Sequence, residues 1–176
     1  MGKLKKLVET EEAMEKFIAD YRIPPNVGLR YCEEGEWHFR RNEGEVVIPL
    51  IAFIEGGVKI PMEPGMRDYL WHFRLAPTQC AANMFRILGC VDALKEKMGL
   101  RLTHHDVNWC YNLQNLKGKS YYIKTRDDKI RLIQCLPKTS KGLNKDFFIV
   151  SREWHDGLHC LTEEEEPGGV VRVGEG

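Results

Sequence analysis

Three groupings of residues in this chain have types and spacings that could do chemistry. The first is Asp127-Asp128. A transposase or integrase holds two divalent metals between converging carboxylates. This pair, however, lies in Arg126-Asp127-Asp128-Lys129, a polar string between apolar runs, and turn chemistry accounts for it. The second grouping is His155, His159 and Cys160, where the i, i+4 interval puts two imidazoles on one helical face. Zinc needs four ligands in a tetrahedron. Gly157 interrupts the segment and no fourth ligand is evident, so no metal is assigned. His104-His105 is read as a helix start, since adjacent helical residues point in different directions. The third grouping is basic and aromatic: Lys119, Tyr121, Lys124, Arg126, Lys129 and Arg131. On one sheet surface these would pair phosphate-neutralising charges with base-stacking rings. The sequence contains no Gly-rich Gly-x-x-x-x-Gly-Lys-Ser/Thr phosphate loop and no Gly-x-Ser-x-Gly elbow. No catalytic residue, cofactor or small-molecule substrate is assigned.

The charge distribution frames that third grouping. The 26 basic and 26 acidic residues cancel overall. Residues 117–151 nevertheless carry nine basic and three acidic residues, whereas 153–176 carry seven acidic residues and one basic residue. A basic module ahead of an acidic tail suits a polyanion whose surface the tail would contest. The other reading is a solvated face and an unfolded acidic end. Six cysteines, at 32, 80, 90, 110, 135 and 160, include no Cys-x-x-Cys pair. They read as reduced structural thiols, which points to the cytoplasm or nucleus. The basic start is followed by Glu9, Glu11 and Glu12 instead of an apolar stretch, so no secretory leader is expected. No run approaches the roughly 18 apolar residues of a membrane span.

The elements that would position these residues can be read along the chain. Met14, Phe17, Ile18 and Tyr21 form one face of an N-terminal amphipathic helix within residues 1–22, with Thr10 as N-cap. Residues 23–44 read as a polar linker with Tyr31, Trp37 and Phe39 as anchors. Val46, Val47, Leu50, Ile51 and Ile54 suggest a short apolar helix with Pro49 near its first turn. A helix from Pro64 turns Met66, Tyr69, Leu70 and Phe73 inward, and Leu75-Ala76-Pro77 breaks it. A longer helix over 79–98 ends at Gly99. Thr103 with Asp106 caps another, reaching about Tyr111. Beyond Lys117-Gly118, three β-forming runs at 121–123, 130–133 and 147–150 read as an antiparallel meander. Alternation puts Tyr121 and Ile123 on one face and Tyr122 and Lys124 on the other, so one tyrosine is core. The expected fold class is α+β, four to five helices followed by a small three-stranded antiparallel β-meander, with an acidic disordered tail at 155–176.

Three stretches carry a resemblance. They are Phe53-Ile54-Glu55-Gly56-Gly57-Val58-Lys59-Ile60-Pro61; Phe73-Arg74-Leu75-Ala76-Pro77-Thr78-Gln79 with Asn83-Met84-Phe85-Arg86-Ile87-Leu88-Gly89-Cys90; and Lys141-Gly142-Leu143-Asn144-Lys145-Asp146-Phe147-Phe148-Ile149-Val150-Ser151 with Trp154. Together they resemble the gypsy-type transposon domain found in plant retroelements, over residues 46–154. Leu143 stands where that family usually has tryptophan. The matched motif positions are Leu75, Pro77, Gln79, Asn83, Arg86, Gly89, Phe147, Phe148 and Trp154. The resemblance implies a retroelement-type domain at 45–154 with a gag-like structural role, and it supplies no catalytic residues.

The sequence therefore sets up a non-enzymatic domain with a protein-interaction or assembly role, through a protein partner or self-association. A nucleic-acid-binding module using the basic aromatic strands is the alternative, and a structural remnant is the third option. Two local expectations accompany it. Leu70, Phe73, Phe85, Leu88 and Phe148 should share one buried cluster, and Asn83 or Arg86 should fix the 75–79 connector by bonding its backbone.

Overall fold

A continuous apolar run is the pattern of a strand buried on both faces, and Phe147 through Val150 form such a run. In the computed structural model, which describes residues 2–34, 36, 42–137 and 146–155, they begin β5 (Phe147–Arg152) and all four are buried. This strand is central. β1 (Val27–Tyr31) pairs with one edge and β2 (Val46–Pro49) with the other, both antiparallel, in the order β1-β5-β2. Leu29 lies opposite Val150, and Ile48 opposite Phe148. Because side chains alternate, Phe148 and Val150 enter the main core, while Phe147 and Ile149 join Cys32 and Val47 in a second cluster. Trp37, Phe39, the 138–145 segment and everything beyond His155 lie outside the described residues. That includes His159, Cys160 and the tail glutamates.

The architecture is α+β, but its strands are not one meander. Tyr121 and Tyr122 lie in β4 (Ser120–Thr125), which pairs with β3 (Tyr111–Lys117) as a separate two-stranded sheet. The turn between them is at Gly118-Lys119, where Gly118 takes a φ of 59° that favours glycine. The expected hairpin turn at 126–129 exists only as an isolated bridge between Asp127 and Ile130. Ile130 is 48% exposed, and although Leu132 and Ile133 pack partly against the main core, the 130–133 run pairs with no described strand and forms none. The expected 46–54 helix is also divided. Val46, Val47 and Ile48 are β-branched and buried, and they form β2; Pro49 then leads into α2 (Leu50–Ile54).

The remaining helices follow local signals. α1 (Glu11–Asp20) is capped by Thr10, whose Oγ1 accepts from the Ala13 N–H at 3.1 Å. Its Phe17 ring meets Phe53 and Phe148 edge-on at 5.9 and 5.1 Å, which docks the N-terminal segment on the main core. α3 (Pro64–His72) begins on a proline and buries Met66, Tyr69 and Leu70. α4 (Ala82–Met98) ends at Gly99, which adopts the left-handed conformation that closes a helix. α5 (His104–Cys110) starts on the Thr103–Asp106 capping box. α2 and α4 approach closely at Gly56, where an added Cβ would lie 2.4 Å from Ala52 O and 2.7 Å from Phe85 Cβ.

Leu70, Phe73, Phe85, Leu88 and Phe148 share one buried cluster. Leu88 is 2% exposed, so truncating it removes packed atoms and leaves a cavity. Leu88→Ala is predicted to cost about 2–5 kcal/mol in urea denaturation.

Candidate interaction surface

The outer layer of the molecule is built from α5 and the β3–β4 hairpin. Thr103 begins it. Its backbone N–H and Oγ1 both donate to Asp106 Oδ2, at 2.7 and 3.0 Å, and this pairing holds the Asp106 carboxyl below the usual carboxylate range. Val107 and Cys110, three residues apart, turn inward and are buried. Trp109 is therefore on the outside, at 76% exposure. The chain passes from Cys110 straight into Tyr111 of β3. At that joint the Arg126 N–H donates to Cys110 O at 2.9 Å, and Arg126 Nε donates to Asn108 O at 2.7 Å. Arg126 thus staples the end of β4 to the residues on both sides of Trp109.

The hairpin has two distinct faces. Directly paired residues share a face, so Tyr111/Thr125, Leu113/Ile123 and Asn115/Tyr121 alternate with Asn112/Lys124 and Gln114/Tyr122. Tyr111, Tyr121 and Ile123 are buried. Burial pushes the Tyr111 hydroxyl above its ordinary pKa, and that hydroxyl accepts from the Ile133 N–H at 3.2 Å. Tyr122 is half-buried and Lys124 exposed on the other face. Of the six residues assigned from sequence, Tyr121 is thus a core residue, with its carbonyl accepting from the Ala81 N–H at 2.8 Å. Lys119 is exposed at the hairpin tip, Lys124 on the outer face and Arg126 at the staple. Lys129 and Arg131 belong to the following turn, where Arg131 pairs with Asp128 at 2.6 Å and Asp127 accepts from the Lys129 N–H at 2.8 Å. Both aspartates therefore do turn chemistry. The Arg131 guanidinium also holds the Asp128 carboxyl below its usual range.

The motif positions of the resemblance have structural roles. Gln79 Oε1 accepts from the Ala76 N–H at 2.9 Å and closes the 3-10 turn Pro77–Gln79. Leu75 and Pro77 are buried beside it. The expectation for Asn83 and Arg86 is corrected here: neither bonds the 75–79 backbone, because Gln79 already satisfies that turn. Asn83 Nδ2 donates to Ile123 O at 2.8 Å, tying α4 to β4, and Arg86 Nε donates to Glu55 O at the end of α2. Gly89 lines a cavity of about 390 Å³ between α2 and α4, whose charged lining is mixed in sign (Lys59, Arg86, Glu55, Glu63, Glu96). Trp154 is buried and donates through Nε1 to Gly44 O at 2.8 Å.

Sequence reasoning missed Trp109 and His72. The signal for Trp109 was the i, i+3 pair Val107 and Cys110, which fixes the inward face of α5 and leaves the indole off it. His72, at the end of α3, meets His104 at a ring-centroid distance of 4.2 Å although 31 residues separate them in sequence. Among the described residues, no group of three His, Cys, Asp or Glu side chains is placed to hold a metal ion. No helix of the described residues is long and apolar enough to cross a membrane. The described cysteines are free thiols. Compared with known proteins, the chain matches no family model, no curated protein and no solved structure.

Asn83→Ala would leave the Ile123 carbonyl without its donor and is predicted to cost about 1–3 kcal/mol. Lys124→Ala, on the solvated face, is predicted to stay within about 0.5 kcal/mol of the parent. Chemical denaturation of both variants checks the contrast.

Proposed function

We propose that this chain is a non-enzymatic interaction domain of the retroelement type, which associates with a protein partner or a second copy of itself through α5. One observation carries the reading. Trp109 is 76% exposed on a helix pinned at both ends, while every other described Phe, Tyr or Trp ring is buried or half-buried. A stable fold gains nothing from an indole in water. Tryptophan is enriched among residues that dominate protein interfaces, since it adds a large rigid area at little conformational cost. Met98 and Leu100, 62% and 40% exposed, add apolar surface in the chain leading to α5. The resemblance to a plant gypsy-type retroelement domain supports the same assembly role.

A second reading is favoured by one feature of the hairpin. Tyr122 and Lys124 share its outer face, and Arg126 and Lys119 lie at its two ends. Rings interleaved with cations suit a single-stranded nucleic acid. Its affinity would fall steeply with salt as counterions are released.

Size-exclusion chromatography with light scattering, with and without single-stranded RNA, separates the two readings. The protein reading predicts concentration-dependent assembly without RNA and a loss on Trp109→Ala of about 2 kcal/mol, roughly thirtyfold in affinity. A mass change that requires RNA and disappears with salt would establish the second reading instead. A monomer under all conditions, unaffected by Trp109→Ala, would defeat both.

A further inference from the structure

The three histidines at the seam between α3 and α5 form a cluster that the interaction surface itself does not use. His72 closes α3, and His104 and His105 open α5. The His72 and His104 rings are 4.2 Å apart with planes 31° from parallel, His104 and His105 are 4.1 Å apart, and His72 and His105 are 5.6 Å apart. The His72 and His104 rings therefore meet nearer face than edge, His105 meets His72 edge-on, and such close packing suits neutral imidazoles.

The charged groups around the cluster come from every element packed against it. From α3, Asp68 lies one turn before His72. From α4, Asp92 and Lys95 line a cavity of about 320 Å³ together with Asp68, His104 and His105. From α5, Asp106 follows His105. Two of these groups are already engaged with each other: Lys95 pairs with Asp92 at 3.5 Å, and Asp92 also accepts from the Met66 N–H at 3.0 Å. Asp106 is engaged by Thr103. That leaves Asp68 to offset a proton on His104. One added proton can be met in this way. A second would set two cations at ring-contact distance, where they repel strongly.

The mechanical setting matters as much as the charge. α5 is only seven residues long, and its far end is stapled by Arg126 to Asn108 and Cys110. Its near end leans on α3 through the histidines. Loosening the near end alone would pivot the helix about the Arg126 staple and change the bearing of Trp109.

We propose that His72 and His104, with the His105 ring packed beside them, are a proton-sensitive clasp: as neutral rings His72 and His104 seat the first turn of α5 on α3, and on protonation they push it off. That this motion regulates partner binding rests on the reading of Trp109 given above. The direction of the response follows from the protonation balance. Burial first, and then the neighbouring imidazoles, hold His72 and His104 below the ordinary histidine value. The unfolded chain, whose histidines titrate near about 6.5, therefore binds protons more readily than the folded one. The clasp is intact above that pH and is lost as pH falls below it, through the lower folded values of His72 and His104.

Hydrogen exchange of the full chain at pH 7.5 and 5.5, corrected for intrinsic rates, tests this. The expected result is a loss of protection in α5 of about tenfold or more at pH 5.5, with β4 unchanged. The double variant His72→Phe/His104→Phe keeps stacked rings without their protons, and its α5 should stay protected at both pH values. His104→Gln, which removes a ring, should leave α5 exchanging fast at both. A parent whose α5 protection ignores pH, or a Phe variant that responds as the parent does, would overturn the clasp. Light scattering at the same two pH values keeps the two readings apart. An α5 that opens in a chain monomeric at both values upholds the clasp and removes the role of Trp109. Assembly that persists at pH 5.5 with α5 still protected overturns the clasp and leaves that role standing.

Discussion

The fold depends on one buried residue at the head of β5. Asp146 is fully buried. One carboxyl oxygen accepts from the Tyr31 hydroxyl at 2.8 Å and the other from the Leu4 N–H at 2.9 Å, while its backbone carbonyl accepts from the Leu50 N–H at 2.9 Å. A polar group is tolerated in an interior only when its bonds are made. The N-terminal turn, β1 and α2 must therefore all be in place around Asp146. The approach is close: a Cβ on Gly2 would lie 1.9 Å from the carboxyl. Burial, with the bond to Asp146 second, pushes the Tyr31 hydroxyl above the ordinary phenol range, so it remains a donor at any physiological pH. The strand that completes the sheet thus comes more than ninety residues after the strand and helix it fixes.

The outer layer hangs on this interior through few ties. Asn83 joins α4 to the inner strand of the hairpin, Arg86 joins α4 to α2, and Gln79 holds the turn that brings the chain into α4. These are backbone bonds made by polar side chains, so they position elements without occupying the exposed faces. α5 and the outer face of the hairpin are left to water. Stability and contact are thereby assigned to different residues, which allows the surface to change chemistry without disturbing the sheet.

Local signals were legible in the sequence and distant pairings were not. Thr10, Pro64, Gly99 and the Thr103–Asp106 box each act within a turn of their own helix, so the sequence displays them. The partners of β5 are encoded only as a continuous apolar run, which says that the strand is buried on both faces but not by which strands. The β-branched run at 46–48 was misread as helical because Pro49 fits the first turn of a helix as well as the end of a strand. Residues 130–133 have β-forming composition, yet Ile130 is exposed and Leu132 and Ile133 touch the core from a segment that pairs with no described strand. On the surface, counting charge directs attention to Lys119, Lys124 and Arg126, while strand alternation correctly sets one tyrosine in the core. It passed over Trp109, which carries no charge. The contact of His72 with His104 arises from helix packing and has no local trace.

The molecule thus divides into a buried anchor at Asp146 that holds the fold and an exposed surface that does not. The most direct measurement compares Asp146→Ala with Trp109→Ala in equilibrium denaturation. Removing the Asp146 carboxyl strands the Tyr31 hydroxyl and the Leu4 N–H, and the account predicts a loss of about 2–4 kcal/mol. Removing the Trp109 indole should change stability by no more than about 0.5 kcal/mol. Equal losses, or a larger one for Trp109→Ala, would contradict the account.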